Sequence, residues 1–309
     1  MSRRRHAGLF VLLAAVWGTA FMVTEVGLRT VPPTLLAAVR FDVATLVLAG
    51  YLALSDVNWR PARRDWYPLV AGGALLVGVH HAFLFAGQQY VPSAVASVLL
   101  GLIPVVTPAL TRVTVADERL SPIAGVGVLV GFAGVAVIAN PDVSNLLADV
   151  RGVALVFASA LAFALGAVLT YDRETTLSHP AEQAWMMLVG SALLHVASAV
   201  LREPVPTAWP VETVGAVLYL AVVAGVGGFV LYFLLLDALG PVEMSLLEYV
   251  IPVFAAFAGW LALDQSLSGT TVAGFGLILV GFLLVKGRTV RAELRRWGAR
   301  EDARPPADD

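Results

Sequence analysis

The sequence has no cysteine, which excludes disulfides, thiolate nucleophiles and thiolate-held zinc or iron–sulfur centres. Charge is scarce as well. Only 14% of the 309 residues are Asp, Glu, Lys or Arg, and 20 basic against 22 acidic side chains leave a formal charge of −2. That balance gives no reason to expect a nucleic-acid partner. Also absent are a GxxxxGK[ST] phosphate loop, an HExxH pair and a GxSxG nucleophile elbow, so direct ATP use, a metal, a cofactor and catalysis are not expected. Apolar residues are abundant instead, at 59% of the chain with a mean hydropathy of +0.83, against about 45–50% in soluble domains. A soluble chain of this length could not cover its surface with so few polar residues, so the bilayer is the natural solvent.

Apolar runs of about 20 residues are the length of a membrane-spanning helix. Ten candidates lie near 8–28, 34–54, 66–87, 94–113, 122–139, 152–171, 182–201, 212–235, 243–262 and 270–286. Each is predicted helical, because a segment alone in hydrocarbon must satisfy its own backbone hydrogen bonds. Arg3-Arg4-Arg5 precedes the first run, which has spanning length rather than that of a cleaved signal, so it is read as a retained helix. With the N-terminus in the cytoplasm, Arg3, Arg4, Arg5, Arg60, Arg63, Arg64, Arg119, Arg173, Lys286, Arg288, Arg291, Arg295, Arg296, Arg300 and Arg304 fall inside, 15 of the 20 basic residues. The positive-inside rule then predicts a multi-pass protein of the cytoplasmic (inner) membrane with both termini cytoplasmic.

The second half echoes the first. Ser97 through Pro104-Val105 matches Ser245 through Pro252-Val253 at an offset of 148; Asp117-Glu118-Arg119-Leu120-Ser121 parallels Asp264-Gln265-Ser266-Leu267-Ser268 at 147; and Gly125-Val126-Gly127 parallels Gly274-Phe275-Gly276 at 149. Five helices per copy is an odd number, so the second copy enters from the opposite side. The expected fold is an all-α membrane protein of ten transmembrane helices in two inverted five-helix repeats, 1–140 and 141–288, followed by a cytoplasmic tail, 289–309. Inverted repeats are the architecture of secondary transporters, which bind near the midplane between the copies and work by alternating access.

Several short motifs also resemble the EamA-like ten-helix transporters of the drug/metabolite transporter superfamily. They are Trp17-Gly18-Thr19-Ala20-Phe21, Ala37-Ala38-Val39-Arg40-Phe41, Val95-Ala96-Ser97 through Pro104, Glu118-Arg119-Leu120-Ser121-Pro122, Gly240-Pro241, Pro252-Val253-Phe254-Ala255, Gly259-Trp260 and the stretch from Gly274 to Gly281. The resemblance implies ten helices in two repeats, cytoplasmic termini, and movement of small metabolites without ATP. Two departures stand out: Gln265 beside Asp264 where such proteins usually carry Glu, and Glu248 four residues ahead of Pro252 rather than directly before it.

Proline inside a helix removes one amide and displaces the carbonyl four residues back. Pro104 and Pro252 are therefore expected to kink spans four and nine, freeing the carbonyls of Leu100 and Glu248 toward a cavity. Ser245, Glu248 and Pro252 share one helical stripe, and Ser97 is the counterpart of Ser245. Glu248, about six residues inside its span, is a candidate for proton coupling or for an amine-bearing substrate. Trp17, Phe21 and Glu25 repeat at i, i+4, i+8 and present an aromatic wall with a carboxylate. Arg40 and Asp42 lie at comparable depth in span two, so Arg40 is expected to pair with Glu25 or Asp42, forming a gate or coupling group. His81 is a candidate cavity residue, and His80, pointing about 100° away, is a weaker one. Tyr232 and Tyr249 flank the same space, whereas His195 is expected to bond between helices. Gly127 through Gly131 is read as close packing within a repeat or a dimer face.

The predicted function is secondary transport of a small organic metabolite, amino-acid-like, nucleobase or drug-like, with or without coupling to protons. The partners are then the solute and membrane lipids, for a monomer or homodimer. The alternatives are an intramembrane enzyme acting on a lipid or peptide, or a non-transporting membrane sensor.

Overall fold

The computed structural model describes residues 3–114, 122–139, 146–170, 173, 175–239, 244 and 247–302. Helices account for every regular element among them. The ten spans are α1 (Arg3–Leu28), α2 (Pro33–Ala53), α3 (Arg63–Gly87), α4 (93–114), α5 (Pro122–Ala139), α6 (Leu146–Thr170), α7 (His179–Val200), α8 (211–239), α9 (Leu247–Leu263) and α10 (Gly269–Asp302). Proline marks several starts: Pro33 and Pro180 sit in the first turn of α2 and α7, while Pro92 and Pro210 immediately precede α4 and α8. At those places a missing amide costs no helical hydrogen bond.

Six of the helices, α1, α2, α3, α6, α7 and α8, are long and apolar enough to cross a membrane, and the apolar parts of α4, α5, α9 and α10 are shorter. The chain is an all-helical, multi-pass integral membrane protein.

Three features depart from the sequence expectation. First, α4 is not one kinked rod. It stops at Leu100 and restarts at Ile103, with the Gly101 amide donating to Val98 O at 3.0 Å and the Leu102 amide to Leu99 O at 3.1 Å. Pro104 thus occupies the first turn of a new helical segment, where its ring is tolerated, instead of bending a continuous one. Second, α3 and α8 each contain a π-helical stretch, Gly73–Val79 and Tyr219–Gly227. Third, α10 is 34 residues long. At 1.5 Å per residue it measures about 51 Å, and it carries the helix through to Asp302, well into the segment expected as a tail.

The packing of the two halves is reciprocal. Helix α1 lies against α8, and α6 against α3; α2 lies against α8, and α7 against α3. Equivalent helices also meet one another. Thr34 and Leu35 of α2 face Glu203 just past α7, while Ala38 and Asp42 face Ser191, so α2 and α7 run antiparallel. The same holds for α5 and α10, where a Cβ on Gly127 would stand 2.7 Å from Gly281 O and one on Gly134 would stand 2.6 Å from Gly274 O. Antiparallel equivalents are what inversion of one copy requires. The α5–α10 crossing relates Gly127 to Gly274 and Gly134 to Gly281 at an offset of 147, so the 149 suggested by the matching Gly-x-Gly runs is not the structural register. Gly127 accordingly faces Gly281, Leu284 and Val285 of the other half, whereas a Cβ on Gly131 would meet Leu102 and Val105 of its own repeat, so the expected packing within a repeat holds at one end of the Gly127 through Gly131 run only.

The core is closed by large side chains with almost no exposure, among them Leu36, Phe41, Leu99, Leu102, Leu220 and Phe282. The two ends of the bundle are named here by position. The far end carries the α1–α2, α3–α4, α7–α8 and α9–α10 connections, and the near end carries those from α2 to α3 and from α6 to α7.

Candidate functional site

Of the α1 stripe read from the sequence, Trp17 lies in the seam with α8 of the other half. Trp17 donates its indole N–H to Ala224 O at 3.0 Å, within the π-helical stretch of α8. The ring stacks on Tyr232 with centroids 5.6 Å apart and meets Phe229 edge-on at 5.6 Å. Phe233 extends this wall to the near end, where His179 of α7 stacks on it at 5.1 Å. Thr19 and the Tyr219 hydroxyl are 2.6 Å apart one turn along the same seam. This α1–α8 surface supplies flat apolar faces with hydroxyls at their margins, the lining expected of a small-solute pocket.

At the far end a polar cluster joins α1, α4 and the α9–α10 connection. Ser93 donates to Glu25 Oε2 at 2.7 Å, and the Gln265 side-chain amide donates to both Glu25 oxygens at 2.8 and 2.7 Å. Gln88 and Ser93 donate to the backbone carbonyl of Phe21 at 3.0 and 3.3 Å. Gln265 therefore has a definite use where Glu is the usual residue: its amide can donate, whereas a carboxylate there would set like charges side by side. Ser93 was not singled out from sequence; its place directly after Pro92 at a helix start was the available signal. The far end also has a surface hollow of about 400 Å³ bordered by Leu28, Arg29, Val31, Gln89, Glu203 and Pro206.

The expected pairing of Arg40 with Glu25 or Asp42 does not form. Glu25 is held by Ser93 and Gln265. Asp42 accepts from Ser191 and pairs with His195 at 2.7 Å across the α2–α7 seam. The three side chains leave their helices at different azimuths and meet different neighbours. His195 does bond between helices, as expected. Arg40, only 7% exposed, instead lays its guanidinium over Phe41 at 4.4 Å and Phe85 at 5.6 Å.

The histidines sit together with their rings 4.5 Å apart and nearly perpendicular. His80 is buried, its Nδ1 donating to Ser159 O at 3.1 Å and lying 2.8 Å from the Ser159 hydroxyl. His81 donates to Val77 O at 2.9 Å and packs edge-on against Phe41. Among the described residues no cluster of His, Asp or Glu has the make-up of a metal site.

On α9, Pro252 lies inside the helix and the Glu248 carbonyl faces Gly101 at the α4 break, 3.8 Å from where a Cβ would stand. The break in α4 thus meets α9, which runs on as one helix through Pro252. Glu248 is the second residue of the described part of α9, and its carboxylate has no hydrogen-bond partner among the described residues. Tyr249 is buried between Phe275 and Phe282 with its hydroxyl unpartnered. Ser97 spends its hydroxyl on Ala94 O at 2.7 Å within its own helix, and Ser245 lies outside the described residues.

Comparison with known proteins agrees with this architecture. The profile of the EamA-like transporter family matches twice, over residues 6–140 and 150–287. The chain is 28% identical over 284 residues to a protein named as an uncharacterized transporter in Archaeoglobus fulgidus, covering 90% of this chain and 97% of that one. It is 27% identical to the uncharacterized inner membrane transporter YedA of Escherichia coli strain K12, covering 90% and 89%. It is also 29% identical to protein PecM of Dickeya dadantii, covering 88% and 89%. A solved crystal structure superposes with a TM-score of 0.62 at 25% identity, spanning 92% of this chain and 98% of the other.

Proposed function

We propose, from the premise that this chain belongs to the EamA-like transporter family, that it is a secondary transporter carrying a small organic solute between its two halves by alternating access. The halves are assigned to 1–140 and 141–288. Both termini and the near end are assigned to the cytoplasmic side of the inner membrane, in line with the basic residues concentrated there.

The observation that carries this reading is the reciprocity of the seams. Helix α1 against α8 has its counterpart in α6 against α3, and the far-end cluster around Glu25 lies across the bundle from the near-end stack of His179 on Phe233. A molecule so built can exchange the conformations of its halves, opening one end as the other closes.

The chain's lack of cysteine makes the test direct. Single cysteines at Ser93 and at Phe233, labelled from either side of sealed vesicles, should change reactivity in opposite directions when solute is added. Labelling that rises together at both ends, or changes at neither, rejects alternating access.

Proton coupling is assigned to Glu248, a carboxylate in an apolar span with no described partner. In proteoliposomes, Glu248→Gln should lose the dependence of flux on an imposed pH gradient. Wild-type rate and gradient dependence in that variant would remove Glu248 from the mechanism.

A further inference from the structure

The α2 helix holds a cation, Arg40, with no counter-ion among the described residues. Arginine stays protonated at any working pH, and burying such a charge without a partner is strongly unfavourable. Three nearby carboxylates are committed elsewhere: Glu25 to Ser93 and Gln265, Asp42 to Ser191 and His195, and Glu203 to the amides of Thr34 and Leu35. No hydrogen bond from Arg40 to any acceptor is made among the described residues, and its Nε is buried unsatisfied.

The surroundings orient the group without neutralising it. Phe41 and Phe85 cover the guanidinium, and His81 meets both of those rings edge-on, at 4.7 and 5.8 Å. Aromatic faces hold a guanidinium by its flat surface, whereas its five N–H bonds point outward in the plane and require acceptors. Arg40 also shares a stripe of α2 with Leu36, which packs on Gly27 of α1, and with Ala44, which reaches Gly225 of α8. Arg40 therefore lies on the stripe of α2 that is turned toward α1 and, through Ala44, toward α8 of the other half.

The geometry points to Arg40 as the anchor for a solute carboxylate, taken by two parallel N–H···O bonds, with the apolar or aromatic body of the solute against the Phe41, Phe85 and His81 rings. The inference rests on the transporter reading and narrows it to organic anions, or zwitterions that present a carboxylate.

The test uses the purified full-length protein in detergent with matched probes: phenylacetate against phenylacetamide, and indole-3-acetate against indole-3-acetamide. At least one carboxylate should raise the unfolding temperature, with an apparent affinity about tenfold or more above that of its neutral amide. Arg40→Gln should erase that preference, and Arg40→Lys, which cannot form the planar fork, should retain only part of it. Without any probe, Arg40→Gln should unfold at the same temperature as the wild type or higher, because it removes an uncompensated charge. A structural role for Arg40 predicts the reverse.

The inference is overturned if no carboxylate in the set is preferred to its amide, if Arg40→Gln keeps the preference, or if that variant is markedly destabilised without probe. Flux separates this from the broader reading. A carboxylate that binds through Arg40 but never crosses proteoliposomes leaves the anchor intact and breaks transport. Flux of the amides alone does the opposite.

Discussion

The α1–α8 seam and the α3–α6 seam occupy equivalent places between the two halves and are filled by different side chains. At the offset of 147 fixed by the α5–α10 crossing, Gly228 corresponds to His81 and Trp17 to Ala164. In one seam a Cβ on Gly228 would collide with the Trp17 indole, so at that position the bulk comes from α1 and the room from α8. In the other, α3 carries the paired imidazoles, while α6 offers the fully buried Ala164 and a glycine, Gly166, against Leu75 and Leu76. Both helices supply volume in each seam, since Phe229 and Tyr232 of α8 flank Trp17 and Phe163 of α6 meets the His80 ring at 5.1 Å, but the side chains differ: an aromatic wall in one seam, imidazoles with a guanidinium beside them in the other.

The sharpest way to break this comparison is Gly228→Val, which would expel the Trp17 ring and its bond to Ala224 from the seam. A loss of about 3 kcal/mol is expected, read by denaturant unfolding in micelles. His80→Ala tests the opposite seam. It leaves a void and strips Ser159 of its partner, for an expected loss of about 2 kcal/mol by the same measurement. Trp17→Phe keeps an aromatic ring but removes the N–H donor to Ala224, for about 1 kcal/mol. The smallest effect belongs to Gly276→Ala in α10, where nothing lies within 4 Å of the added carbon. It should change stability by no more than about 0.5 kcal/mol, the ordinary range for substitutions away from packed features. Equal losses from Gly228→Val and Gly276→Ala would contradict the packing described here.

Hydropathy located the spans well because lipid leaves a backbone few choices: each crossing segment must be helical, and its ends are marked by charge or proline. The π-helical stretches were not legible. Gly73 through Val79 and Tyr219 through Gly227 read as ordinary apolar helix, since the change lies in which carbonyl each amide meets rather than in residue type. Pro104 was noticed, but whether it bends a helix or restarts one depends on the turn at Gly101 and Leu102.

The polar residues divide in the same way. Trp17, Phe21 and Glu25 could be grouped by spacing on a single helix. The partners of Glu25 could not, because Ser93 and Gln265 come from two other segments and only the packing brings them together. Gln265 had been noted as a departure from its relatives, and the donor chemistry of its amide is what the local structure uses. Arg40 shows the limit of depth as a guide: two carboxylates at a suitable level were each turned toward other neighbours.

The crossing of α5 and α10 also restricts how the molecule can move. Where Gly127 meets Gly281 and Gly134 meets Gly274, peptide groups of one helix rest directly on the other, with no rotamer available to yield. Under the alternating access proposed above, that contact is the axle: the halves would turn about it, and the softer aromatic and hydrogen-bonded joints farther out would absorb the displacement.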